Sequence, residues 1–223
     1  MKRIFGWLLF ISIHSFSQSK EGMHIYSYLA LGDSYTIGEA VQLQKNFPYQ
    51  VVQSLRKKEY NFNAPEIIAK TGWTTDELQN AINQYSFLPK YDFVTLLIGV
   101  NNQYRGRNVI EYKEQFEELV KKAIELANGK KDHVIVVSIP DYSVMPFAKD
   151  IDSQKITKEI DVFNGIGKAL SIQYKVHYVD ITPGSRSAKN DPELIAQDGL
   201  HPSEKEYARW SEKIVEVMIS QLK

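Results

Sequence analysis

Along this chain, short runs of almost uniformly apolar residues alternate with longer stretches in which apolar residues recur every three or four positions. The first pattern reads as strands covered on both faces and the second as helices with one buried stripe. Their alternation predicts a parallel sheet with helices on both faces. Strands are expected over residues 25–31, 66–69, 93–98, 134–139 and 176–181, with Phe93-Val-Thr-Leu-Leu-Ile98 at the centre of the sheet. Helices are expected over residues 48–58, 74–85, 108–128, 153–174 and 203–223. In 108–128 the stripe is Val109, Tyr112, Phe116, Leu119, Val120, Ala123 and Ala127, with Gly129 as a stop. The last helix is expected to have Ser203 as cap, Glu206 completing a capping box, and Tyr207, Trp210, Ile214 and Val217 facing inward. Residues 182–202 read as one long irregular loop.

Five strands with intervening helices define an α/β fold, a flavodoxin-like three-layer α/β/α sandwich with a five-stranded parallel sheet. Ligands of such folds sit outside the carboxyl ends of the strands. Working residues are therefore expected at Gly32, Gly72, Gly99, Asp141 and in the loop from Thr182.

A length of 223 residues suits one domain, and the chain contains no internal repeat or low-complexity linker. Lys2 and Arg3 precede an apolar run from Ile4 to Ile13 that is short for a membrane span. With Ser15 and Ser17 flanking Phe16, residues 1–17 read as a cleaved signal peptide and residues 25–223 as the domain. The mature protein is thus expected to be exported, to the periplasm or the extracellular space, without stable membrane insertion. Charge adds no nucleic-acid partner, since 27 basic residues balance 27 acidic ones, and Arg105-Gly-Arg107 reads as a solvated loop. No cysteine is present, which removes thiol nucleophiles, thiolate metal sites and disulfides.

Three strand-end loops carry small or polar residues, Gly32-Asp-Ser34, Gly72-Trp-Thr and Gly99-Val-Asn-Asn102, and the final loop carries Asp198-Gly-Leu-His201. Ser34 stands where a strand passes into a helix, and a serine needs a base to become a nucleophile. Of the five histidines, His14 leaves with the signal, His24 lies in the start of the domain, and His133 and His177 belong to strands. His201 alone lies in a loop after the last strand. Asp198, three residues earlier, can accept the Nδ1 proton and turn Nε2 toward Ser34; as turn and cap residues the pair would also fit. A developing oxyanion needs fixed donors, for which the backbone N–H groups of Ser34 and Gly72 and the Asn101 amide are candidates. Gly72 equally suits a turn with positive φ, and Asn101 a helix cap.

Gly32-Asp-Ser34, Gly72, Gly99-x-Asn101 and Asp198-x-x-His201, in this order, resemble the four marker blocks of the SGNH hydrolases, also called the GDSL esterase/lipase family. The resemblance runs from Leu29 to His201. It implies a carboxylic ester hydrolase with Ser34 as nucleophile, His201 as base, Asp198 as its partner, and Ser34, Gly72 and Asn101 as the oxyanion hole. It also implies a small-molecule ester as substrate and no metal or organic cofactor. One position departs from the pattern: Asn102 stands where the family usually has aspartate, so hydrogen bonding is kept and a charge is lost.

A base of this kind works only when neutral, so activity is expected to fall below a pH of roughly 6 to 7. Tyr35, Trp73, Tyr104, Tyr142, Met145, Pro146 and Phe147 are candidates for the wall of an apolar pocket, and no inserted lid is visible. That favours small soluble esters, acetylated sugars or lysolipids over triglycerides. Arg186 and Asp141 fit substrate contacts or a loop ion pair equally. Two other readings share the fold. A non-catalytic carbohydrate-binding module would not need Ser34, Asp198 and His201 together. A flavin carrier would need a first loop rich in Ser and Thr, whereas residues 32–38 offer only Ser34 and Thr36.

Overall fold

The computed structural model describes residues 24–222; the expected signal peptide lies outside them. Five strands, β1 (Tyr28–Gly32), β2 (Glu66–Ala69), β3 (Phe93–Leu97), β4 (Val134–Val137) and β5 (His177–Val179), form one sheet in the order β2-β1-β3-β4-β5. Every pairing is parallel. This is the expected flavodoxin-like order, and β1, β3 and β4 are buried throughout.

Eight α-helices accompany the strands among the described residues: α1 (Ser34–Ile37), α2 (Phe47–Lys57), α3 (Thr75–Gln84), α4 (Val100–Tyr104), α5 (Val109–Leu126), α6 (Ser153–Tyr174), α7 (Thr182–Arg186) and α8 (Glu204–Gln221). Right-handed crossovers from β1 outward to β2, and then from β2 back through β3 to β5, place α2 on one face and α3, α5 and α6 on the other. The packing agrees: α2 pairs with α8, while α5 lies between α3 and α6. Each long helix starts on a side-chain cap, such as Asn108 accepting from Ile110 N–H at 2.7 Å or Asp152 from Lys155 N–H at 3.0 Å.

Four details differ from the sequence reading. β1 starts at Tyr28 because the Asp92 carboxylate takes the Ser27 N–H at 2.7 Å, leaving Tyr26 in a lone bridge to Phe62 and Ile25 exposed. Residues 182–202 are more ordered than a loop, containing α7, which Pro183 opens in its first turn, and two 3₁₀ turns. The capping box of α8 is half formed: Ser203 Oγ accepts from Glu206 N–H at 3.4 Å, but Glu206 Oε1 turns to the Trp210 indole N–H at 2.8 Å. Inward positions near the end of α8 are Val215 and Met218, with Val217 half-buried.

Candidate active site

The carboxyl ends of β1, β2 and β3 and the turn before α8 meet at one edge of the sheet. Gly32 ends β1 at a place where a side chain has no room, since a Cβ there would lie 2.1 Å from Thr36 Oγ1 and 2.4 Å from the Leu97 carbonyl oxygen. The chain turns sharply through Asp33, whose Oδ1 accepts the Tyr35 N–H at 3.0 Å and starts α1. Ser34 is therefore the first residue of a helix, its own N–H free of the helical ladder.

Asp198 organises the turn that carries the histidine. Its Oδ1 accepts the N–H groups of Leu200 and His201, each at 3.0 Å, and its Oδ2 accepts the His201 Nδ1–H at 2.6 Å. Gly199 holds φ +71° between them. The Ala196 N–H donates to the His201 carbonyl at 2.8 Å, which ties the turn down from behind. With Nδ1 protonated, Nε2 is an acceptor, and it lies 2.9 Å from Ser34 Oγ. The Tyr35 ring meets the imidazole edge-on at 5.3 Å. Burial pushes the Asp198 carboxyl up, but the bonds from the His201 ring and from the two backbone N–H groups outweigh it and hold the group below the usual carboxylate range. An ionised Asp198 beside an imidazole that gains a proton is the electrostatic arrangement that acyl transfer requires.

Asn101, in α4, faces the same space. Its Nδ2 gives one hydrogen to the Trp73 carbonyl at 3.0 Å and keeps the other available. Neither Ser34 N–H nor Gly72 N–H donates to an acceptor among the described residues. Gly72 sits at φ +84°, in the left-handed region that glycine tolerates. Ser34, Asn101 and His201 open onto a cavity of about 100 Å³ walled by Tyr35, Tyr104, Tyr142, Phe147 and Leu200. Gly72 is not among its lining residues. Nor are Trp73, Met145 and Pro146, which the sequence reading had placed in the wall; Met145 is buried and Pro146 faces the other side of its segment.

Three contacts that the sequence did not reveal hold this constellation together. Arg105, read from the sequence as part of a solvated loop, donates through Nη2 to the Gly72 carbonyl at 2.6 Å and pairs with Glu77 at 3.3 Å. On the other side the Thr71 hydroxyl donates to Glu39 in the loop after α1. Asn102, the departure from the family pattern, accepts the Thr75 N–H at 3.1 Å through Oδ1 and donates through Nδ2 to Thr75 Oγ1 at 2.7 Å. A neutral amide thus fastens α4 to the start of α3, using a donor that a carboxylate would lack. Arg186 pairs with buried Asp141 at 2.9 Å and with Asp161 at 2.6 Å, the loop ion pair of the two possibilities. Among the described residues no three His, Cys, Asp or Glu side chains cluster as metal ligands.

Asp33 is fully buried and its Oδ2 has no partner among the described residues. Burial pushes its carboxyl up to about 7, against the bonds from the Tyr35 and Asp33 backbone N–H groups, which pull it down. An unfolded aspartate titrates near ~3.9. Between that value and about 7 the folded chain holds the extra proton, so stability falls as pH rises through this window. Asp33→Asn, which keeps the Oδ1 acceptor, is expected to lose this fall. Urea midpoints at pH 5 and pH 8 check it: the wild type should drop relative to the variant at pH 8, and parallel values would contradict the assignment.

A family model described as "GDSL-like Lipase/Acylhydrolase family" matches residues 30–209. No functionally curated protein matches the sequence. Several solved structures share the fold. TesA superposes with a TM-score of 0.69 at 18% identity, over 86% of this chain and 97% of its own. A lipase/acylhydrolase from Enterococcus faecalis gives 0.69 at 18%, over 88% and 96%. The acetylxylan esterase Axe2 from Geobacillus stearothermophilus gives 0.65 at 18%, over 88% and 93%. At this identity the likenesses establish the three-layer sandwich.

Proposed function

The chain belongs to the GDSL-like lipase/acylhydrolase family, and from that premise we propose that it is a serine ester hydrolase acting through an acyl-enzyme on Ser34. The observation that carries the reading is the unbroken hydrogen-bonded line from Asp198 Oδ2 through His201 to Ser34 Oγ, 2.6 Å and then 2.9 Å. Ser34 Oγ attacks the acyl carbon while its proton passes to His201 Nε2. Asp198 stabilises the imidazolium without taking the proton. The tetrahedral oxyanion accepts hydrogen bonds from Ser34 N–H, Gly72 N–H and the free Asn101 amide hydrogen. Collapse expels the alcohol, which takes the proton from His201, and water then releases the acid by the same route.

The acyl group is small in this reading. A cavity of about 100 Å³ is below the ~300 Å³ at which pockets begin to enclose drug-sized ligands, and its wall is aromatic, Tyr104 lying 6.1 Å from Phe147 and 6.2 Å from Tyr142 between ring centres. Among the described residues no helix is long and apolar enough to cross a membrane. Hydrolysis of p-nitrophenyl esters from acetate to decanoate tests the assignment. The expected result is the highest kcat/KM at acetate or propionate and a fall of ~10-fold or more by octanoate, the scale of the ~1–3 kcal/mol that overfilling a small pocket costs. A rate that climbs with chain length would overturn the short-acyl reading.

A further inference from the structure

The three proposed oxyanion donors are not held equally well. Ser34 is buried at the start of α1 behind the Asp33 cap, and Asn101 sits in α4. The Gly72 N–H belongs to a loop in which Thr71 is exposed and Gly72 and Trp73 are half-buried. Gly72 holds φ +84°, and a glycine populates positive and negative φ about equally. Packing therefore does little to aim this N–H, and a misplacement of ~1 Å in a reacting constellation can cost ~10²-fold in rate.

Two side chains supply what packing does not, one from the segment of each neighbouring donor. The Glu39 N–H donates to the Ser34 carbonyl at 3.0 Å, and the Glu39 carboxylate accepts the Thr71 hydroxyl. On the other side the Arg105 N–H donates to the Asn101 carbonyl at 3.0 Å, and Arg105 Nη2 donates to the Gly72 carbonyl at 2.6 Å. The Thr71–Gly72 peptide, whose N–H is the donor in question, is thus gripped on both sides. A closed circuit runs from Ser34 through Glu39 and Thr71 to Gly72, and on through Arg105 to Asn101. Both grips use a charged partner, the stronger class of hydrogen bond. Glu77 Oε1, 3.3 Å from Arg105 Nη1, fixes the guanidinium from its far side.

We propose that Glu39 and Arg105 are positioning residues of the oxyanion hole: by tying the Thr71–Gly72 peptide to the segments that carry Ser34 and Asn101, they aim the Gly72 N–H at the point the other two donors share. Neither side chain touches the reacting atoms, and the proposal rests on the ester-hydrolase reading. An oxyanion exists only at and near the transition state, so both residues act on kcat rather than on KM.

The test uses Arg105→Met, Glu39→Leu and the conservative Glu39→Gln, whose amide oxygen can still accept the Thr71 hydroxyl. With p-nitrophenyl acetate, Arg105→Met and Glu39→Leu should each lower kcat by ~10- to 100-fold, short of the ~10²–10³ of deleting a donor outright, with KM changed little. Glu39→Gln should recover most of the loss. Glu39→Leu leaves the Arg105–Glu77 pair in place, so a matching fall in that variant shows that the effect runs through the Thr71–Gly72 peptide. Ethylboronic acid adds to a serine Oγ as a tetrahedral adduct with an oxygen in the oxyanion hole, and its affinity should fall by the same factor as kcat/KM. A readout independent of turnover is ¹⁵N relaxation: the Gly72 amide order parameter should lie near ~0.85 in the wild type and below ~0.6 in Arg105→Met/Glu39→Leu. Values of kcat within ~2-fold of the wild type in both single variants, a fall in kcat with boronate affinity unchanged, Glu39→Gln as slow as Glu39→Leu, or a Gly72 amide as rigid in the double variant as in the wild type would each overturn the proposal. A wild type that hydrolyses no ester and forms no boronate adduct, with the Gly72 order parameter still falling in the double variant, would keep the two tethers and overturn the hydrolase reading alone.

Discussion

His201→Ala is expected to lower kcat for p-nitrophenyl acetate by ~10⁴- to 10⁶-fold with KM changed little, the scale of losing the base from a serine–histidine pair. In the proposed mechanism the base does two jobs, taking the Ser34 proton on attack and returning it to the leaving alcohol, so its loss removes both steps. Asp198→Asn is the companion variant. Its amide can still meet the imidazole, but without the charge that stabilises imidazolium and with Nδ1 no longer held as the donor, a change worth ~10⁴ in a comparable triad. Adding Ser34→Ala to His201→Ala should cost almost nothing further, because the groups act as a unit and single losses do not add. Steady-state kinetics on the three single variants and the double variant decide it. Additive losses would mean that Ser34 and His201 do not share one proton path.

The second large effect is on stability. Trp210 is fully buried on α8, with ring centres 5.1 Å from Tyr207, 6.2 Å from Phe47 and 6.2 Å from Tyr35. It thus packs under the residue that follows Ser34 and links α2, α8 and the loop that carries Ser34. Trp210→Ala removes that ring and is expected to cost ~3–5 kcal/mol from the cavity alone. It also strips Glu206 Oε1 of its indole partner at 2.8 Å, leaving a buried carboxyl whose pKa burial already pushes up and adding ~1–3 kcal/mol for the unmet acceptor. Against a typical reserve of ~5–15 kcal/mol, much of the stability goes. Denaturant melts should show the midpoint fall steeply for Trp210→Ala and much less for Trp210→Phe, which keeps most of the packing. Equal small shifts would mean that the ring is not a keystone of this side.

What the sequence revealed and what it hid follow from the range of the interactions. Buried strands and amphipathic helices leave a local periodic mark, and β2 and α6 have the expected bounds. The Asp198–His201 turn was also legible, since a carboxylate three residues before a histidine is a short-range feature. Helices of four or five residues, α1, α4 and α7, are too short for a period to register. Arg105 reaching the Gly72 carbonyl across 33 residues leaves no pattern at all. The direction of a loop side chain is likewise set by tertiary packing, which is why Tyr142 and Phe147 face the cavity while Met145 and Pro146 between them face away from it. Glu206 had the spacing of a capping box, but a buried indole N–H needing an acceptor won the carboxylate.

The most direct test of the acyl-enzyme on Ser34 is mass spectrometry of the protein after incubation with a p-nitrophenyl phosphonate, whose phosphorus a serine nucleophile attacks with release of nitrophenolate. The predicted result is one phosphonyl adduct per chain, mapped to the peptide containing Ser34, absent from Ser34→Ala and formed far more slowly in His201→Ala. An adduct on another residue, or equal labelling of the wild type and Ser34→Ala, would contradict Ser34 as the nucleophile.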